Sequence, residues 1–221
     1  MIIFLENVLS TAHVGAFVKV LEDNALFESG SRTAGKVAKS QKQNLQALNA
    51  KPEISRILTQ VREDLNRHPD FRGFAIPAKL GRVMVSRYEP GMHYGSHFDD
   101  AFIDGVRTDL SFTLFLSEPD TYVGGELELT TPSGSQAIKL PAGCAIVYPS
   151  DHLHAVLPVT QGVRLSVVGW IQSRVKSGER RTLLHELTEA AKAFEDPSVD
   201  NSTALTRLKF VRNNLLRMWA D

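Results

Sequence analysis

Cysteine is nearly absent from this 221-residue chain, and so are long apolar runs. The single cysteine, Cys144, excludes an internal disulfide and a cluster of thiolate metal ligands, and it fits a reducing compartment. No apolar run approaches the ~18 residues that a membrane-spanning helix requires. Residues 1–10 lack the basic start and the long apolar stretch of a secretory signal peptide. We therefore expect a cytoplasmic protein that does not enter a membrane.

An excess of charge of either sign is also absent. Lysine and arginine together number 25, as do aspartate and glutamate, so the formal net charge is zero. Such a chain has no overall field that attracts nucleic acid or an anionic membrane, and we expect neither as a partner. Hydrophobic residues make up 43% of the chain and charged residues 23%, which is typical of a globular protein with a sizeable core.

The N-terminal part, residues 1–78, has a mixed pattern with two predicted helices. One helix follows the capping candidates Ser10 and Thr11, and the other follows Pro52, a favourable first-turn residue. Between them lies the polar, glycine-containing segment 29–44, which we expect to be a loop or a short hairpin facing the substrate. Apolar residues recur at helical spacing after each start: Phe17, Val20, Leu21, and then Ile54, Ile57, Leu58, Val61 and Leu65.

The apolar period falls to two between residues 79 and 176. Short β-branched segments alternate there with glycine and proline turn signals. Many short strands at close spacing favour a sandwich or barrel, and the double-sheet jelly roll is a natural candidate. The predicted strands are "RVMVSRY", "LSFTLFLS", "GELELTT", "QAIKL", "CAIVY" and "VRLSVVGWI".

A helical pattern returns in residues 177–221, where we predict a C-terminal helical hairpin with Ser202 capping its second helix. The fold class is therefore α+β, with domain 1–176 followed by the hairpin. Packing on the chain's own barrel and a homodimer interface both explain the apolar stripes. These stripes comprise Leu183, Leu184, Leu187, Ala191 and Phe194, and then Leu205, Leu208, Leu215, Leu216 and Trp219.

The stretch "GMHYGSHFDD", residues 91–100, contains two histidines and two aspartates. His93 and His97 have the spacing of a helical zinc pair, but Pro90, Gly91 and Gly95 disfavour a helix there. In an extended chain, His97 and Asp99 share one face instead. An imidazole and a carboxylate on one face are two parts of a two-histidine, one-carboxylate iron site.

Candidates for the second histidine occur in "YPSDHLHAVLPVTQGVR". His152 follows turn-prone residues, whereas His154 begins an alternating segment. Arg164 lies ten positions after His154, on the same strand face as Ser166, Val168 and Trp170. Burial of an arginine in a strand is unfavourable unless its guanidinium meets an anion such as a carboxylate.

The whole pattern resembles the prolyl-4-hydroxylase type of 2-oxoglutarate/Fe(II) dioxygenases, and more closely the bacterial PKHD-type hydroxylases. It consists of a tyrosine and a glycine before the histidine–aspartate pair, and then a distant histidine with an arginine ten residues later. These residues are Tyr88, Gly91, His97, Asp99, His154 and Arg164. The resemblance covers most of the chain, including the segments 33–44 and 148–164 and the helical tail that follows 169–181.

The resemblance implies a double-stranded β-helix with Fe(II) bound by His97, Asp99 and His154. It also implies that Arg164 binds the distal carboxylate of 2-oxoglutarate, with support from Tyr88. The implied activity is hydroxylation of a C–H bond, with L-ascorbate as a reductant.

Members of this family are often encoded near siderophore uptake genes, which suggests a link to iron uptake. The implied substrate is an unidentified small molecule or peptidyl group, and we expect His93 and Tyr94 at its entrance. A non-catalytic, cupin-like sensor that binds metal or 2-oxoglutarate is the alternative, although it would not need Arg164 or Tyr88.

Overall fold

A computed structural model describes residues 1–33, 41–131, 134–194 and 201–221. The described residues form five α-helices, which we label in chain order. They are α1 (Thr11–Val20), α2 (Pro52–Arg67), α3 (Pro69–Ala75), α4 (Gly178–Lys192) and α5 (Ser202–Trp219). Both predicted N-terminal helices are confirmed: the Ser10 side chain caps α1, and Pro52 is the first residue of α2.

Sixteen strands are formed by the described residues. They are β1 (Ile3–Leu5), β2 (Phe27–Ser29), β3 (Lys42–Gln43), β4 (Leu45–Ala47), β5 (Pro77–Tyr88), β6 (His93–His97), β7 (Phe102–Ile103), β8 (Val106–Arg107), β9 (Leu110–Phe115), β10 (Tyr122–Gly124), β11 (Leu127–Thr131), β12 (Gly134–Ile138), β13 (Ala145–Pro149), β14 (Leu153–Val156), β15 (Val159–Gly162) and β16 (Arg164–Ser173). All six strands predicted from the period of two are confirmed.

Two antiparallel sheets form the jelly-roll core. The larger sheet has seven strands in the order β1-β13-β9-β16-β5-β4-β2, and the smaller has five in the order β12-β11-β14-β6-β3. Two short ribbons, β7-β8 and β10-β15, complete the described strands. Several neighbouring strands are distant in sequence, such as β6 and β14 in the smaller sheet and β5 and β16 in the larger one. Their pairing brings together residues that are far apart in the chain.

The two faces of the larger sheet differ in polarity. On β16, Leu165 and Val167 join the apolar core together with residues of α1, α2 and α3. Arg164 and Val168, which alternate with them, line a cavity on the opposite face. The same alternation on β9 places Ser111 at the cavity. The helices thus cover one face of the sheet, and the other is left for polar side chains.

The C-terminal helices form the predicted hairpin, with two differences in detail. Asn201, rather than Ser202, is the N-cap residue of α5, because the helix already includes Ser202. Two residues of the first predicted stripe are exposed: Leu183, on a face of α4 that points away from the core, and Phe194, which lies beyond the end of α4. The segment 195–200 between the helices lies outside the described residues.

The hairpin packs on the body of its own chain. Leu184 forms a small apolar cluster with Ile76 and Val175, against which Leu215, Leu216 and Trp219 pack. An ion pair between Lys192 and Asp70 (2.8 Å) joins α4 to α3. A homodimer interface and the division at residues 176 and 177 stay predictions. In the part of the chain that the structure describes, no helix is long and apolar enough to span a membrane.

Candidate metal and cosubstrate site

His97, Asp99 and His154 converge at one point. Each contributes a ligand atom, and these three atoms lie within 4.8 Å of one another. The two histidines are opposite each other in the antiparallel pairing of β6 with β14. Asp99 was expected on the same strand face as His97, but β6 ends at His97 and Asp99 lies in the following loop. Its side chain still turns toward the histidines, while Phe98 and Asp100 are exposed.

Strand β6 contains an irregularity that determines which of its residues face the cavity. His97 pairs with His154, and Tyr94 pairs with Val156. Between these two pairs, β6 therefore contains one residue more than β14. An extra residue of this kind turns the side chains on either side of it relative to one another. Tyr94 therefore lines the cavity beside His97. His93 is not among the described residues of the cavity wall, and its Nδ1 lies 3.5 Å from the carbonyl of Gly91.

Both histidines are oriented for metal binding through Nε2. Nδ1 of His97 lies 2.8 Å from the carbonyl oxygen of Gly95, and Nδ1 of His154 lies 2.9 Å from that of His152. A carbonyl only accepts, so in the neutral rings each Nδ1 carries the proton and Nε2 keeps its lone pair. Burial, aided by His154, lowers the pKa of His97 to about 4, so His97 is neutral at neutral pH.

The structure also distinguishes the two candidate histidines of the later segment. His154 is buried and its Nε2 lies 3.8 Å from Oδ2 of Asp99. His152 instead lies beside Asp151 (3.2 Å), outside the cluster of possible ligands. Two imidazoles and one carboxylate are a donor set that suits Fe(II), and the three side chains fit such an ion.

The cluster lies in a cavity of about 680 Å³ that Arg164 also lines. Arg164 is 1% exposed, and its Nη1 donates to Ser166 Oγ at 2.8 Å. Its Nε and Nη2 are buried and have no hydrogen-bond partner among the described residues. A buried guanidinium with two free donors is unfavourable unless an anion occupies the space beside it. The residues present therefore fit a carboxylate ligand at this point.

Tyr88 lies next to Arg164 across the β5–β16 pairing. The guanidinium carbon lies 5.2 Å from the centroid of the Tyr88 ring and 5.4 Å from that of Phe115. Burial raises the pKa of Tyr88 above its ordinary value, so the hydroxyl keeps its proton and can donate a hydrogen bond. Tyr88 thus lies beside Arg164 in the cavity wall, and its role at the cosubstrate stays a prediction.

Among the polar residues of the cavity wall that sequence reasoning missed are Lys42 and Ser111. Lys42 is 9% exposed, and its Nζ lies 4.9 Å from the centroid of the Tyr94 ring. It belongs to the predicted substrate-facing segment 29–44, of which residues 34–40 lie outside the described residues. For Ser111 the available signal was a polar residue that alternates with the apolar residues of a buried strand.

Comparison with known proteins identifies the class of protein. A sequence model of the 2OG-Fe(II) oxygenase superfamily matches residues 83–172, which include all three possible ligands and Arg164. A prolyl-4-hydroxylase of Pseudomonas putida superposes with a TM-score of 0.55 at 22% identity, covering 78% of this chain and 92% of that one. A Trichoplax adhaerens prolyl hydroxylase, solved with a hypoxia inducible factor peptide fragment, gives 0.54 at 17% identity, covering 83% and 86%. The fold is thus that of the 2-oxoglutarate/Fe(II) oxygenases.

Full-length relatives narrow the class to a family. PKHD-type hydroxylases of Maricaulis maris and Parvibaculum lavamentivorans are each 42% identical to this chain, and each alignment covers 100% of both proteins. One of Paraburkholderia phymatum is 40% identical with the same coverage. The chain belongs to the PKHD-type hydroxylases. It is therefore a 2-oxoglutarate-dependent hydroxylase whose cofactor is Fe(II), and ascorbate is typical of its family.

Proposed function

We propose that His97, Asp99 and His154 bind Fe(II) and that Arg164 and Tyr88 bind the distal carboxylate of 2-oxoglutarate. The observation that carries the proposal is the pair of unpartnered Arg164 donors in the cavity that contains the three possible ligands. A guanidinium presents its N–H groups as a planar fork that matches a carboxylate. The two binding functions thus meet in a single cavity.

Bound Fe(II) and 2-oxoglutarate supply the activation of dioxygen that places a hydroxyl group on a C–H bond. The contribution of the chain is to orient its partners and to exclude water. Backbone carbonyls hold the two imidazoles, and buried residues such as Phe112 and Leu127 form the apolar part of the wall. In such a poorly solvated space each polar contact is stronger than it would be in water.

The substrate is proposed to enter where the cavity wall reaches the surface. Phe98 and Phe102 line the cavity although they are 62% and 65% exposed, and Tyr94 lies beside them in the same wall. Trp170 adds a buried Nε1 that has no acceptor among the described residues. These features support a substrate, small molecule or peptidyl group, with an apolar part and a hydrogen-bond acceptor. A role in iron uptake and a cytoplasmic location are further proposals that rest on the sequence alone.

The test is an anaerobic titration of the metal-free protein with Fe(II) and 2-oxoglutarate. We expect a visible charge-transfer band that needs both additions and is lost in His154→Ala. If iron is bound in the presence of 2-oxoglutarate and the band is absent, the proposed site is wrong. The substrate is then sought by incubating the iron-loaded enzyme with cell extract, 2-oxoglutarate and air, and by searching for a metabolite or peptide that gains one oxygen atom.

A further inference from the structure

Two buried serines lie behind the carboxylate of Asp99. Ser111 on β9 is 2% exposed, and Ser150, which follows β13, is 4% exposed. Oγ of Ser111 lies 2.5 Å from Oδ2 of Asp99 and 2.7 Å from Oγ of Ser150. The backbone N–H of Asp99 also donates to the carbonyl oxygen of Ser150, at 3.3 Å. Ser150 therefore holds the backbone of Asp99 directly and its side chain through Ser111.

The charge of Asp99 determines the direction of both side-chain hydrogen bonds. An ionised carboxylate can only accept, so the hydroxyl proton of Ser111 is donated to Asp99. The oxygen of Ser111 is then free to accept the proton of Ser150. Hydrogen bonds from a hydroxyl to a carboxylate are short and strong, and bonds arranged in a chain strengthen one another. The two serines thus form an ordered relay that ends on Asp99.

This relay compensates for the position of Asp99 in the chain. Because β6 ends at His97, no strand pairing holds Asp99, and a carboxylate on a loop can rotate about its side-chain bonds. Ser111, by contrast, lies on a strand that pairs on both sides, opposite Tyr148 on β13 and Trp170 on β16. A hydrogen bond from this rigid position removes rotational freedom from Asp99. Partners of this kind behind a ligand typically affect metal affinity by roughly 10- to 100-fold.

We propose that Ser111, oriented by Ser150, is a positioning residue that holds Asp99 ready for the metal and so sets the affinity for Fe(II). The proposal rests on the proposed function, in which Asp99 is a ligand. It goes further because it assigns a role to two serines that do not bind the metal themselves. Ser166 accepts a hydrogen bond from Arg164 and does not contact Asp99, so it offers a matched buried serine for comparison.

The experiment measures the dissociation constant for Fe(II) under anaerobic conditions, without 2-oxoglutarate, by competition with a chromogenic chelator. In the full chain, Ser111→Ala should raise it about 10- to 100-fold, and Ser150→Ala should raise it by a smaller factor. The double variant should match Ser111→Ala within about twofold, because Ser150 acts through Ser111. Ser166→Ala should leave Fe(II) binding unchanged, and Ser111→Thr, which keeps the hydroxyl, should retain most of the affinity.

Thermal unfolding of the metal-free variants separates positioning from packing. Lower stability with an unchanged Fe(II) dissociation constant in Ser111→Ala and Ser150→Ala would show a packing role and overturn the proposal. If the two substitutions have additive effects on the free energy of Fe(II) binding, Ser150 does not act through Ser111 and the relay is wrong. The Asp99→Ala variant shows whether Asp99 is a metal ligand at all, independently of the two serines. If Fe(II) still binds to Asp99→Ala with full affinity, the proposed function fails as well; if that variant loses the metal while Ser111→Ala does not, only the serine proposal fails.

Discussion

The ring of Tyr94 lies parallel to the ring of His97, with centroids 3.7 Å apart and planes inclined by 19°. The extra residue in β6 makes this contact, since in a regular strand two residues three positions apart would face opposite sides. His97 is consequently held by a carbonyl at its Nδ1 and by an aromatic ring against its face. Tyr94 is therefore a neighbour of a candidate ligand as well as a part of the cavity wall.

Loss of the stacking should weaken metal binding. Aromatic pairs contribute about 0.5–1.5 kcal/mol, so Tyr94→Ala should raise the Fe(II) dissociation constant roughly two- to tenfold. Tyr94→Phe keeps the ring and should bind Fe(II) like the unaltered protein. Anaerobic chelator competition measures both variants. If Tyr94→Ala and Tyr94→Phe lose the same amount of Fe(II) affinity, the hydroxyl and not the stacked ring supports the site.

Removal of the Arg164 guanidinium should affect 2-oxoglutarate selectively. Loss of one partner from a buried charge pair typically costs 2–5 kcal/mol, so Arg164→Met should raise the dissociation constant for 2-oxoglutarate by roughly 30-fold or more. Fe(II) binding should not change. Arg82→Met is the matched control, because Arg82 lines the same cavity but is already paired with Asp104 at 2.5 Å. Calorimetric titration of the Mn(II)-loaded, oxygen-free proteins measures the binding of 2-oxoglutarate. Similar losses of 2-oxoglutarate affinity in Arg164→Met and Arg82→Met would contradict the assignment of Arg164 to the cosubstrate.

Burial of Lys42 should make stability depend on pH in the alkaline range. Burial lowers the pKa of Lys42 from 10.5 to about 8, whereas the unfolded chain keeps the ordinary value. Between these values the unfolded state binds the proton and the folded state does not, so the free energy of unfolding rises with pH. The penalty of burying the charge is present in full below pH 8 and is relieved above it.

Lys42→Met removes this dependence. In the metal-free protein it should stabilise the fold more at pH 7.5, which lies below the pKa of the folded chain, than at pH 9.5, which lies between the folded and unfolded values. Urea unfolding can measure the difference. The exposed Lys19→Met change controls for the general effect of losing a lysine. The same stabilisation by Lys42→Met at the two pH values would show that Lys42 does not titrate in this range.

Two glycines should respond in opposite ways to alanine. A Cβ at Gly169 on β16 would lie 2.6 Å from Cε1 of Phe112 and 2.9 Å from the carbonyl oxygen of Arg82, so Gly169→Ala should destabilise the fold by about 1–3 kcal/mol. A Cβ at Gly15 in α1 would meet nothing within 4 Å, and Gly15→Ala should stabilise the helix by about 0.5–1 kcal/mol. Urea unfolding gives both values, and a stable Gly169→Ala variant would show that the sheet yields at this point.

Residue types and local spacing were sufficient to predict six strands of the jelly roll, helices α1 and α2 and the C-terminal hairpin, but not α3 or the shorter strands. Together with the family resemblance, they also singled out the candidate ligands and Arg164. The pairs His97 with Asp99 and His154 with Arg164 are each separated by a short stretch of sequence. Alternation along β16 also showed that Arg164 lies on the face opposite Leu165. These features are local, because the direction of a side chain in a regular strand follows from its position in the alternation.

Other features were decided by the tertiary structure. No local pattern shows that β6 carries an extra residue opposite β14, which places Tyr94 rather than His93 on the cavity wall. Nor does any local pattern place Ser111 and Ser150 behind Asp99, since the three residues belong to separate parts of the chain. A one-residue change in strand register reverses the face on which every following side chain lies. Register is set by pairing between strands that are distant in sequence, and for that reason only the folded chain determines which polar groups surround the metal site.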